Sequence, residues 1–176
     1  VPVFELPRPI ALYAGRVSVE KSVTDFLDMA WAGSRVVVGD GPQLARLRRV
    51  HPGVLFTGML HGESLAAAIA SADVLVFPSR TDTFGVVMLE AMACGVPVAA
   101  YPVPGPIDVI REGVTGGLRA DLAEATCAAL WLDREIVRAA ALEHSWSRAT
   151  AQFIEALVPA RRRMPRSAGT RRNGRM

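Results

Sequence analysis

The chain has 176 residues, 51% of them hydrophobic, and a net charge of +3; this suffices for one domain with a real core and is a globular composition, not a disordered one. Its two cysteines, Cys94 and Cys127, lack Cys-x-x-Cys spacing, so neither a disulfide framework nor a zinc site is suggested, and no apolar run is as long as a membrane span. Seven arginines and no acid fall in residues 161–176, which leaves −4 on the first 160, so the folded part is not expected to bind nucleic acid specifically.

Residues 1–9 are proline-containing and read as a linker between domains. A strand pattern follows at Ile10–Ala14, and Val23, Phe26, Leu27 and Ala30 mark a helix over Ser22–Trp31. Strand and helix then alternate: Arg35–Val38, Gln43–Val50, Val54–Thr57, Glu63–Ala72, Asp73–Phe77, Phe84–Ala93, Pro97–Tyr101 and Ile107–Arg111. A short sixth strand is expected at Gly116–Arg119, and three helices at Leu122–Leu132, Glu135–Leu142 and Trp146–Leu157. Continuous apolar strands alternating with helices predict an α/β fold, a doubly wound Rossmann-like parallel sheet with helices on both faces. The domain is expected over residues 10–158, with 159–176 an Arg-rich disordered tail. That tail leaves a weak membrane association open; the cysteine usage fits a reducing cytoplasm, including the inner face of a membrane.

In such sheets ligands bind beyond the carboxyl ends of the strands. The loops there read Gly15-Arg16, Gly39-Asp40-Gly41-Pro42, Gly58, Pro78-Ser79-Arg80-Thr81-Asp82 and Pro104-Gly105-Pro106, four of the five with glycine. Within them, Asp82 precedes a helix as a candidate N-cap, and backbone amides of Thr83, Phe84, Gly85 and Val86 are placed to meet an anion. Glu90 is the only charged residue between Asp82 and Asp108, in a helix that reads as apolar all round. A carboxylate there is costly unless paired, and the vicinal hydroxyls of a ribose would pair it; the other reading is that Glu90 lies on a solvent-facing seam or meets a distant Arg. Arg16 and Lys21, the latter the only lysine in the chain, offer two cations near the anion site. The stretch Gly39-Asp40-Gly41-Pro42 is not a dinucleotide fingerprint, because Leu44 stands where a third glycine is needed. It reads either as a turn contacting a nucleobase or as a purely structural turn. His51, His61 and His144 are scattered and make no metal site.

The run from Pro78 to Val98, with Asp82 and Glu90 in an acidic-x7-Glu spacing, resembles the signature of the family-four GT-B retaining glycosyltransferases, in their carboxy-terminal, donor-binding domain. Gly15-Arg16 with Val19-Glu20-Lys21 is similar to their phosphate-binding loop, and the likeness covers about residues 8–157. The resemblance implies a GT-B half that binds a UDP- or GDP-hexose as co-substrate, with no other cofactor and no metal, for retaining transfer to an acceptor, a lipid among the candidates. It implies Arg16 and Lys21 on the diphosphate, with amides of Phe84, Gly85 and Val86; Asp82 and Thr83 on the sugar; Glu90 on the ribose; and Gly39, Asp40, Gly41 and Pro42 near the base. The family more often has Glu where Asp82 stands. No catalytic residue is assigned in this chain, and the amino-terminal acceptor domain is expected in cis or in trans. Two alternatives remain: a nucleotide-sugar epimerase on the same fold, and a non-catalytic nucleotide-sugar-binding module or relic.

Overall fold

The computed structural model describes residues 3–144 and 146–157. The elements are β1 (Ile10–Ala14), a 3-10 turn (Val19–Lys21), α1 (Val23–Asp28), β2 (Ser34–Val38), α2 (Leu44–Val50), β3 (Leu55–Gly58), α3 (Gly62–Ala70), β4 (Val74–Phe77), α4 (Val86–Ala93), β5 (Val98–Ala100), α5 (Pro106–Val109), β6 (Gly116–Leu118), α6 (Leu122–Ala129) and α7 (Arg134–Ala141). Their six strands form one parallel sheet in the order β3-β2-β1-β4-β5-β6. A further helix, α8 (Trp146–Ala156), belongs to a second unit that starts at Ser145. The Arg-rich tail lies outside the described residues.

The sheet forms because β1, β4 and β5 are apolar at every position and are covered on both faces. Side chains alternate across it. Ile10, Leu12, Leu75 and Val98 point to one face, where they meet Ile69 of α3, Met88 and Met92 of α4, and Val137 of α7. Ala11, Tyr13, Val74 and Val76 point to the other, where they meet Phe26 of α1, Leu47 of α2 and Ala125 of α6. Helices α1 and α4 therefore flank opposite faces, and both begin at the carboxyl edge. Strand order reverses between β1 and β4, so the crevice that this fold opens to a ligand lies there.

The helices begin differently from the sequence expectation. The first helix is shorter than the expected Ser22–Trp31 and is preceded by a separate turn: Val19–Lys21 closes with i to i+3 bonds, and Ser22 adopts a left-handed conformation (φ 50°) before α1. The fourth starts at Val86, not Phe84, because Gly85 is its N-cap at φ 73°. Only glycine serves at position 85, since a Cβ would sit 2.8 Å from the Phe77 ring. At the opposite edge of the sheet, residues 3–9 pack under the strands: Phe4 is buried, and Arg8 pairs with Asp73.

Candidate functional site

Two loops wall the crevice. The β1–α1 loop is anchored by Tyr13, whose buried hydroxyl donates to the Arg16 carbonyl at 2.7 Å. Burial, with the carboxylates of Asp82 and Glu20 nearby, pushes the Tyr13 phenol well above its ordinary value, so it stays a donor at neutral pH. Arg16 itself is exposed, and Val17 donates to the Asp40 carbonyl at 2.8 Å. Lys21 closes the loop and reaches across to the second wall, where its ammonium pairs with Asp82.

That second wall is the β4–α4 loop. Asp82 is not the N-cap of α4, which corrects the sequence expectation: Gly85 holds that position, and no side chain bonds the first amides of the helix. Gly85 and Val86 stand at the helix N-terminus, where free N–H groups and the helix dipole favour an anion; Thr83 and Phe84 lie ahead of it, both exposed. Glu90 is exposed as well, on a solvent-facing seam, which decides between its two sequence readings against the buried carboxylate. Helix α4 covers the sheet with Met88, Ala91 and Met92 and leaves Val86, Glu90 and Ala93 on one open stripe. Glu90 is four residues, about 6 Å along the axis, from Val86 on that stripe.

Two further loops buttress these walls. Gly39 is buried against Gly15: a Cβ at position 39 would overlap the Gly15 carbonyl group, with its carbon at 2.9 Å. Gly41 likewise abuts Val17: a Cβ at position 41 would lie 2.8 Å from the Val17 carbonyl carbon. These glycines thus serve loop packing, while Asp40 and Pro42 stay exposed at the rim. From β5, Gly105 packs against the backbone of Asp82 and Thr83.

The structure also brings in residues that the sequence reading missed. Arg80 stacks on the ring of Tyr101, 3.5 Å from its centroid, and Tyr101 donates to Asp25 at 2.8 Å. The hydroxyls of Ser18 and Ser79, one in each wall, are buried without a hydrogen-bond partner among the described residues. No local pattern announces these contacts, because their partners are remote in sequence. Among the described residues no three His, Cys, Asp or Glu side chains cluster as a metal site. A cavity of about 570 Å³ lined by Asp73, Pro97, Trp131 and Arg134 lies at the amino-terminal edge, away from the crevice. No helix among the described residues is long and apolar enough to cross a membrane.

The chain has known relatives in sequence and in fold. The family described as Glycosyl transferases group 1 matches residues 8–132. The chain belongs to that family. A sulfoquinovosyl transferase of Arabidopsis thaliana is 39% identical over 122 residues, 65% of this chain and 24% of its own length. A GDP-mannose-dependent alpha-mannosyltransferase of Mycolicibacterium smegmatis is 43% identical over 111 residues, 62% of this chain and 30% of its own. In fold, the chain is similar to Anabaena HepE, crystallised with UDP and glucose: the TM-score is 0.66 at 20% identity, covering 86% of this chain and 49% of that one. The chain thus spans about a quarter to a third of these curated relatives. The sheet is one Rossmann-like half of a GT-B architecture.

Proposed function

We propose that this chain is the donor-binding domain of a retaining glycosyltransferase that uses a UDP- or GDP-hexose without a metal, the acceptor being held by a second domain outside this sequence. The observation that carries the reading is the convergence, at the β1/β4 crevice, of Lys21, Arg16 and the uncapped N-terminus of α4, with Glu90 one helical turn along the open stripe. A diphosphate at the N-terminus of α4 meets the amides of Gly85 and Val86 and the two cations, which together offset the charge that develops on the leaving group. Glu90 then lies a turn away, where its two oxygens accept from the vicinal hydroxyls of the ribose. Thr83 and Asp82 stand beside the same end of α4, where the hexose would sit. Asp40 and Pro42 flank the nucleobase at the rim. The relatives' printed names, one GDP-mannose-dependent, and the UDP and glucose bound by HepE support both nucleotide options.

Calorimetric titration of the chain with UDP and GDP, with and without a chelator, tests this. One nucleotide should bind, with an affinity that the chelator leaves unchanged. Lys21→Met and Glu90→Gln should each weaken it by about tenfold or more, the range of a lost hydrogen bond to a charged group. Because Glu90 is exposed, its variant should keep the wild-type melting temperature. Unchanged affinity in both variants would refute the placement of the site, and binding abolished by the chelator would refute metal independence.

A further inference from the structure

Three consecutive side chains tie the two walls of the crevice together. Arg80 stacks on Tyr101 just beyond β5 and lies 4.0 Å from Asp25 of α1. Thr81 donates to the Glu20 carbonyl at 3.3 Å, and Asp82 pairs with Lys21. Tyr101 is a rigid platform: the residue is 5% exposed, and its hydroxyl is committed to Asp25. Burial and that bond to a carboxylate both raise its phenol above the ordinary value, so the bond persists across neutral pH. The Arg80 side chain is half-exposed, with one guanidinium face on the ring. A planar guanidinium can make that stack, and a lysine ammonium cannot reproduce its shape.

We propose that Arg80, seated on Tyr101 and Asp25, is a positioning residue of the donor site: its stack fixes the distance between the Arg16 and Lys21 cations and the N-terminus of α4, the two halves of the diphosphate crevice. The inference rests on the donor-binding reading. It assigns the loop Pro78–Gly85 its conformation in the free chain, before a ligand arrives, through contacts on the α1 face of the sheet. The ligand then meets a crevice of preset width, which lowers the ordering cost of binding.

Arg80→Gln, Arg80→Lys and Tyr101→Phe test it on the full chain, with three readouts. These are affinity for the nucleoside diphosphate against the monophosphate of the same base, hydrogen exchange of the amides of residues 79–88 in the free chain, and melting temperature. Arg80→Gln should weaken the diphosphate by about tenfold and the monophosphate by less than about threefold, with faster exchange in the loop and a nearly unchanged melting temperature. Arg80→Lys should behave like Arg80→Gln, because charge without the stack does not set the loop. Tyr101→Phe keeps the ring and loses the bond to Asp25, and should fall between wild type and Arg80→Gln. Equal losses for diphosphate and monophosphate together with a lower melting temperature would make Arg80 merely structural and overturn the proposal. Full rescue by lysine would overturn it too, as the mark of a simple charge contact. If the wild-type chain binds neither UDP nor GDP, the donor reading fails by itself; faster loop exchange in Arg80→Gln would then still support the brace, and unchanged exchange would overturn it.

Discussion

Replacing Gly39 by alanine tests whether the walls of the crevice are set by backbone contact. Gly39 has φ 138°, a conformation that side-chain-bearing residues rarely adopt, and its Cα faces the Gly15 carbonyl group. A Cβ there would lie 2.9 Å from the Gly15 carbonyl carbon and closer still to its oxygen, so one loop must move. The backbone strain costs about 1–3 kcal/mol, and the overlap adds about 1–3 kcal/mol more. Gly39→Ala should therefore lose roughly 2–6 kcal/mol, a large part of the stability of a domain this size. With a urea m-value of about 2 kcal/mol per molar, the midpoint falls by about 1–3 M. Urea melts followed by circular dichroism read this directly, and Gly53→Ala is the matched control. Gly53 has open space around it and no left-handed backbone, so alanine there should be neutral or stabilise by up to about 1 kcal/mol. A Gly39→Ala midpoint within about 0.3 M of wild type would refute the packing argument for this loop.

Asp82→Asn should raise the affinity of the free chain for UDP or GDP by about two- to fivefold, the worth of a partly exposed ion pair that no longer competes for Lys21. In calorimetry the sugar nucleotide should gain less than the bare diphosphate, and a weakened diphosphate would contradict the competition. The two tyrosines, Tyr13 and Tyr101, are the only ones in the chain, and both phenols are raised above their ordinary 10.0. A raised folded value means stability is fully present below about pH 10 and is lost above it, as the unfolded chain ionises first; Tyr13 alone contributes a slope of about 1.4 kcal/mol per pH unit in that window. Ultraviolet titration should show Tyr13 un-ionised at pH 10 until the chain unfolds, and Tyr13→Phe should flatten the alkaline loss; ionisation of Tyr13 at its ordinary pH would refute the burial of its ring.

The sheet was legible because β1, β4 and β5 are buried on both faces and so are written as unbroken apolar runs. Their alternation with helices also pointed to the carboxyl edge as the place for a candidate site. The exposure of Glu90 was one of two open readings that the sequence did not decide. Residues 86–89 read Val-Val-Met-Leu, which looks like a helix buried all round. What decides burial is what stands opposite, and the sheet covers only the Met88, Ala91 and Met92 side. Val86 is left 56% exposed on the open stripe, an apolar residue in water where the proposed ligand would lie. The pairing of Lys21 with Asp82 was hidden for a different reason. Those residues are 61 apart in sequence and meet only because β1 and β4 are sheet neighbours without being consecutive strands. The Arg80, Tyr101 and Asp25 cluster has the same origin, so residues read singly from the sequence were silent about their mutual bonds.

Those mutual bonds bear on how the crevice takes a ligand. Lys21 and Asp82 have side chains 28% and 22% exposed, too dry for either charge to stand alone without cost. In the free chain each satisfies the other. In the proposed donor complex a diphosphate would replace Asp82 as the partner of Lys21, and hydroxyls of the sugar would replace Lys21 as the partner of Asp82. On that proposal both charges stay paired before and after, so binding would exchange partners rather than create charge pairs from solvated groups. An anion without a sugar leaves Asp82 half-buried and unpaired, while a neutral sugar cannot draw Lys21 away. The pair therefore favours a ligand that carries both, which is the chemistry of a sugar nucleotide.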